Sequence, residues 1–213
     1  MRPLRMPAIG LGCAYLMAIV LLAPLLGSSA DSSATFAEHF GDGGNRLRDL
    51  LGTLALLVAA AMLGWTAVAA RSTTTPRAGT SVRDLVAVAA IVTSSALVAA
   101  SGLLMTVPLM ASFGTLFDEP GMEAGVQAGI AQAGTVVLLV AALCLAFTTV
   151  LFARLGRQNL AVPRWISVTA WVTAAALCLG VSVGLLMPFA AWAVAFGLVW
   201  SPVTSQPKNP PLT

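Results

Sequence analysis

Gly52-Thr53-Leu54-Ala55-Leu56-Leu57-Val58-Ala59-Ala60 opens an apolar run that continues without a charge to Ala70. About 20 such residues let an α-helix cross a hydrocarbon core about 30 Å thick. The same wording returns 82 positions later, as Gly134-Thr135 followed by Leu138-Leu139-Val140-Ala141-Ala142. At that offset Gly102-Leu103-Leu104-Met105 also falls on Gly184-Leu185-Leu186-Met187, and Leu63, Thr66 and Val68 fall on Leu145, Thr148 and Val150. A fixed period is the signature of a repeat. The stretch is therefore read as the first helix of a hairpin that the chain contains twice.

Lipid offers the backbone no hydrogen-bond partner, so a spanning segment is either a helix or part of a closed barrel. These runs are continuous rather than alternating, which excludes the barrel and makes the fold all-α. Composition agrees. The 213 residues are 58% hydrophobic and 9% charged, against roughly 25% charged in soluble domains. Mean hydropathy is +0.92. The net charge of +3 is spread over short loops, without the basic cluster a nucleic-acid binder shows. Cys13, Cys144 and Cys178 all fall inside apolar runs and are read as small packing residues, neither disulfides nor metal ligands.

Residues 1–30 hold Arg2, Arg5 and an apolar run from Ala8 to Gly27. Ser28-Ser29-Ala30 would suit a leader cleavage site, but the run is long enough to span and is read as an uncleaved first transmembrane helix. Residues 31–49 form an acidic loop and 50–110 the first transmembrane hairpin. Residues 111–124 form a second acidic loop, 125–200 the second hairpin with an aromatic extension, and 201–213 a Pro-rich polar tail. The expected architecture is a polytopic membrane protein of five transmembrane helices, an N-terminal helix plus two tandem hairpins running in the same direction. Eight of the ten arginines lie at the N-terminus, in the 71–83 loop and in the 154–164 loop. The positive-inside rule puts those segments in the cytoplasm and the acidic loops outside. The expected location is a bacterial-type inner membrane.

Trp165 to Trp200 carries no charge over 36 residues, about 54 Å as one helix. Pro188 interrupts it, and Phe189, Trp192, Phe196 and Trp200 follow as one stripe. The stripe is read as a kinked or interfacial segment on the outer face, where Trp favours the headgroups. The alternative is a tight sixth crossing that returns the tail to the cytoplasm.

Ionisable groups deep in a span are usually functional, and here every one is expected in a loop, in the tail or at a helix end. Glu38, His39 and Asp42 offer imidazole and carboxylates, but in no zinc-ligand spacing and with a single histidine. They are read as a solvated loop, and nothing places a nucleophile beside Asp118, Glu119 or Glu123. No catalytic residue, metal site or cofactor is expected.

Gly125 and Gly129, and again Gly180 and Gly184, form G-x-x-x-G spacings that let helix backbones approach closely in lipid. With Trp192, Phe196 and Trp200 they are the expected helix-packing or partner contacts. Thr93, Ser94, Ser95 and Ser101 are read as interhelical packing hydroxyls. The expectation is a non-enzymatic accessory or scaffold subunit whose partners are the bilayer and other membrane subunits, with no nucleic acid. The alternatives are a small carrier or channel for a neutral solute between the hairpins and, behind it, a membrane enzyme using Glu38, His39 and Asp118.

Overall fold

The computed structural model describes residues 4–28, 38–73, 80–117, 123–159, 161–179 and 186–200. Among them the fold is all-helical: α1 (Arg5–Ser28), α2 (Gly43–Thr73), α3 (Thr80–Phe117), α4 (Ala124–Gln158), α5 (Arg164–Cys178) and α6 (Met187–Val199). A short helical turn at 38–41 precedes α2. Spans within α1 to α4, of 22, 30, 32 and 34 residues, are long and apolar enough to cross a membrane. Four such helices fit a membrane protein.

Each helix packs against the next, and α6 packs back on α1, so the six close a ring. Its interior is built from small and branched side chains, among them Ala18, Ile19, Leu56, Ala59, Leu63, Ala141 and Leu145, all fully buried. Two close approaches hold the ring shut between α1 and α6. A Cβ on Gly12 would lie 2.7 Å from the Ala190 carbonyl oxygen, and one on Gly197 2.9 Å from Ala8 Cβ. Backbones this near gain dispersion contacts that larger residues would prevent.

Positions 82 apart share their environments in α2 and α4. Leu56 and Leu138, Ala59 and Ala141, and Leu63 and Leu145 are all buried. Thr66 donates to the Met62 carbonyl at 2.7 Å and Thr148 to the Cys144 carbonyl at 2.8 Å. Gly52 receives Leu22 of the preceding helix as Gly134 receives Leu104. Of the second matching block, Gly184 to Met187, the first two residues lie outside the described residues, while Leu186 is buried as Leu104 is.

Three elements differ from expectation. First, α2 begins at Gly43, seven residues before Leu50, because the Asp42 carboxylate accepts the Gly44 N–H at 2.9 Å and caps the helix. Second, α3 runs through Pro108 to Phe117. A membrane helix tolerates an internal proline because neighbouring groups satisfy the freed carbonyl.

Third, the aromatic stripe is no extension on the outer face. α5 has only 15 residues, about 22 Å, less than a full crossing. α6 then returns antiparallel to it and ends beside the start of α1, where Arg5 donates to the Leu198 carbonyl at 3.0 Å. Trp200 packs over Gly156 near the end of α4. The reason is area: Phe189, Trp192, Phe196 and Trp200 bury their rings as one column, with neighbouring centroids 5.0–6.3 Å apart. Tyr15 and Phe152 meet this column edge-on. The Trp192 indole N–H donates to the Ile166 carbonyl at 3.1 Å, so its polar edge is satisfied as well.

Candidate functional site

The acidic-loop end of the bundle carries the one concentration of buried charge among the described residues. Asp49, the seventh residue of α2, has a side chain with no exposed surface. His39, from the turn before the helix, brings Nε2 to 2.8 Å from Asp49 Oδ2 and is itself 11% exposed. Arg48 Nε stands 3.9 Å from Oδ1, too far for a hydrogen bond but near enough to offset charge. The Asn45 amide donates to the His39 carbonyl at 3.3 Å, and the His39 ring meets Phe40 edge-on at 5.0 Å. Arg46 ties this end of α2 to α3 by donating to the Ala111 carbonyl at 3.0 Å.

This arrangement overturns the reading of residues 38–42 as a solvated loop. His39 is engaged by a carboxylate ten positions on, and Asp42 is a helix cap. Asp49 was hidden from sequence reasoning because it was placed at a helix end. The signal available was its position ten residues after a lone histidine, with Arg46 and Arg48 between them. Among the described residues no group of three or more His, Cys, Asp or Glu side chains is placed to hold a metal ion. Asp118 and Glu119 lie outside the described residues, and Glu123 is exposed just before α4. The pair joins the 38–41 turn to α2 through the hydrogen bond between His39 Nε2 and Asp49 Oδ2.

The interhelical hydroxyls fall into two groups. Thr93 Oγ1 and Thr148 Oγ1 are 2.9 Å apart and link α3 to α4, and Ser94 donates to the Ala60 carbonyl of α2 at 3.0 Å. Ser101 is buried and donates to its own helix at the Leu97 carbonyl, 2.6 Å away, whereas Ser95 is exposed on the outer side of α3.

The small-residue positions also divide. Among the described residues nothing lies within 4 Å of a Cβ built on Gly125 or Gly129, so their shared face points away from the described helices. Gly180 and Gly184 are outside the described residues. Trp192, Phe196 and Trp200 are buried inside the ring and make helix-packing contacts within the chain, leaving none of the three free for a partner. Among the described glycines, an added Cβ would come within 3.0 Å of a neighbouring residue at Gly12, Gly52, Gly134, Gly156 and Gly197. No family model, curated protein or solved structure matches the chain.

Proposed function

We propose that this protein is a non-catalytic subunit of a larger membrane assembly, bound to its partner through the lipid-facing side of the bundle. The observation that carries this reading is the open Gly125–Gly129 face at the start of α4. A G-x-x-x-G pair stabilises a helix–helix contact only when another backbone lies against it, and here the described helices leave it uncovered. The outward position of Ser95 on α3 supports the same reading.

The reading includes an orientation. Arg5, Arg71, Arg83, Arg154, Arg157 and Arg164 gather at the end of the bundle where α1 begins and α4 finishes, and the positive-inside rule assigns that end to the cytoplasm of an inner membrane. His39 and Asp49 then face outward. The two hairpins are proposed to be copies of one ancestral hairpin, supported by the paired environments of Thr66 with Thr148 and Gly52 with Gly134.

The test is gentle detergent extraction through a C-terminal tag, followed by native mass spectrometry. A stoichiometric complex with another membrane protein is expected, and Gly129→Ile should dissolve it while leaving the melting of the bundle unchanged. Recovery of the chain alone, or as copies of itself only, would refute the subunit role.

A further inference from the structure

A groove of about 850 Å³ opens between α4 and α5 on the outside of the ring. Its α4 wall runs from Leu143 past Phe147 and Val150 to Arg154 and Arg157. That wall spans fifteen residues, about 21 Å of helix from the first to the last, somewhat longer than one leaflet of a core about 30 Å thick. The opposite wall is α5, with Ser167 near one end and Trp171 further along. The groove is thus polar and cationic at the Arg-rich end and apolar over the rest of its length.

Two independent features point to an occupant. Arg154 and Arg157 are exposed, lie one turn apart on one helix face, and form no ion pair among the described residues. Guanidinium groups so placed match the oxygens of a phosphate diester. Ser167 is only 7% exposed, yet its Oγ has no hydrogen-bond partner. Buried hydroxyls are almost always paired, so this one lacks an acceptor or donor that something entering the groove would bring. Ser167 lies three residues after the start of α5, and Arg154 lies four before the end of α4, so both sit about one turn inside the bundle. A phosphate at the arginines would place ester oxygens near Ser167 and an acyl chain along Val150, Phe147 and Leu143.

We propose that this groove binds one anionic phospholipid from the leaflet at the Arg-rich end, with its headgroup on Arg154 and Arg157 and an ester oxygen on Ser167. Basic pockets between transmembrane helices favour anionic headgroups for the same electrostatic reason. A second groove, about 520 Å³ between α1 and α6 around Gly12 and Val194, has no charged group and no unpartnered hydroxyl, and so has nothing to select a headgroup. The inference is independent of the subunit role.

The test is titration of the purified full-length protein in detergent with phosphatidylglycerol and with phosphatidylcholine of identical acyl chains, read by native mass spectrometry. The wild type is expected to retain one phosphatidylglycerol about thirtyfold more tightly than phosphatidylcholine, as two basic side chains at an anionic headgroup predict. Arg154→Gln with Arg157→Gln should abolish the preference, while Arg71→Gln, at the same end but outside the groove, should leave it intact. Ser167→Ala should weaken both lipids, and Ala174→Trp, which fills the groove, should displace both. Equal retention of the two lipids by the wild type would overturn the proposal, as would a preference that survives the double arginine change. Binding of inorganic phosphate as strong as that of phosphatidylglycerol would also overturn it, because the acyl groove would then contribute nothing. If Ala174→Trp breaks a protein complex yet leaves lipid retention unchanged, the occupant is a partner helix and the lipid assignment fails.

Discussion

Gly12 on α1 stands directly against α6, so that one added methyl group would lie 2.7 Å from both the Ala190 carbonyl oxygen and Val194 Cγ2. The first of these is backbone and cannot rotate aside, so relief requires the helices to separate. Gly12→Ala is expected to destabilise the bundle by about 1–3 kcal/mol, the range for overpacking a close contact. Gly102, with nothing within 4 Å of its Cβ position, is the matched control. Gly102→Ala should be neutral or stabilising by up to about 1 kcal/mol through helix propensity. Thermal melts in one detergent check the pair, and an equal response at the two sites would refute the close-approach account.

Asp49 and His39 give a second expectation. Removing His39 leaves the buried Asp49 carboxyl without its hydrogen-bond partner, at roughly 1–3 kcal/mol. His39→Ala should therefore lower the melting temperature markedly. Asp49→Asn in the His39→Ala background should recover part of the loss, because a neutral amide needs no counter-charge. The double change His39→Leu with Asp49→Leu should cost less than His39→Ala alone. A wild-type melt for His39→Ala would show that the pair does not hold the turn.

Thr93 and Thr148 make three short contacts with two hydroxyl protons. Thr93 Oγ1 is 2.8 Å from the Ala89 carbonyl, Thr148 Oγ1 is 2.8 Å from the Cys144 carbonyl, and the two oxygens are 2.9 Å apart. One proton must serve across the interface at the expense of a carbonyl of its own helix. The coupling between Thr93→Val and Thr148→Val should therefore be small, near the average of about 0.6 kcal/mol for membrane interhelical bonds. A double-mutant cycle measuring 2 kcal/mol or more, roughly above the largest such coupling known, would contradict this.

Trp192 separates area from polarity. Trp192→Phe keeps most of the ring column but loses the bond to the Ile166 carbonyl, an expected loss of about 0.5–1.5 kcal/mol. Trp192→Ala opens a cavity between α6 and α5 and should cost about 3–5 kcal/mol. Near-equal losses would mean that the ring's contacts with Phe189 and Phe196 contribute little.

The bodies of α1 to α4 were legible because uninterrupted apolar length has one solution in lipid. The start of α2 was not, since Gly43, Gly44 and Asn45 are poor helix formers and a cap at Asp42 outweighs them only once formed. The boundary drawn at 110 falls short because the packed neighbours of α3 carry the helix through Pro108 to Phe117. The stripe from Phe189 to Trp200 was visible as one helix face. Which environment that face prefers depends on α1 and α4 being within reach, which spacing alone does not encode. Small-residue spacing pointed to Gly125 and Gly129, and these face outward. The seam between α1 and α6 instead uses Gly12 and Gly197, single glycines at crossing points whose partners lie almost the whole chain away. Of the candidate site, His39 stands out in the sequence as the lone histidine, whereas Asp49 does not, because burial of a carboxylate depends on where its helix begins.

The contact between Arg5 and Leu198 spans 193 positions, and it has a consequence for biosynthesis. At about 5–20 residues per second, α1 waits roughly 10–40 s in the bilayer before α6 is made. Through that interval the Gly12 face of α1 meets lipid or a helper rather than its own partner. The ring is therefore completed by its last helix, and a chain stalled before residue 187 would leave an open seam that a neighbouring copy could enter.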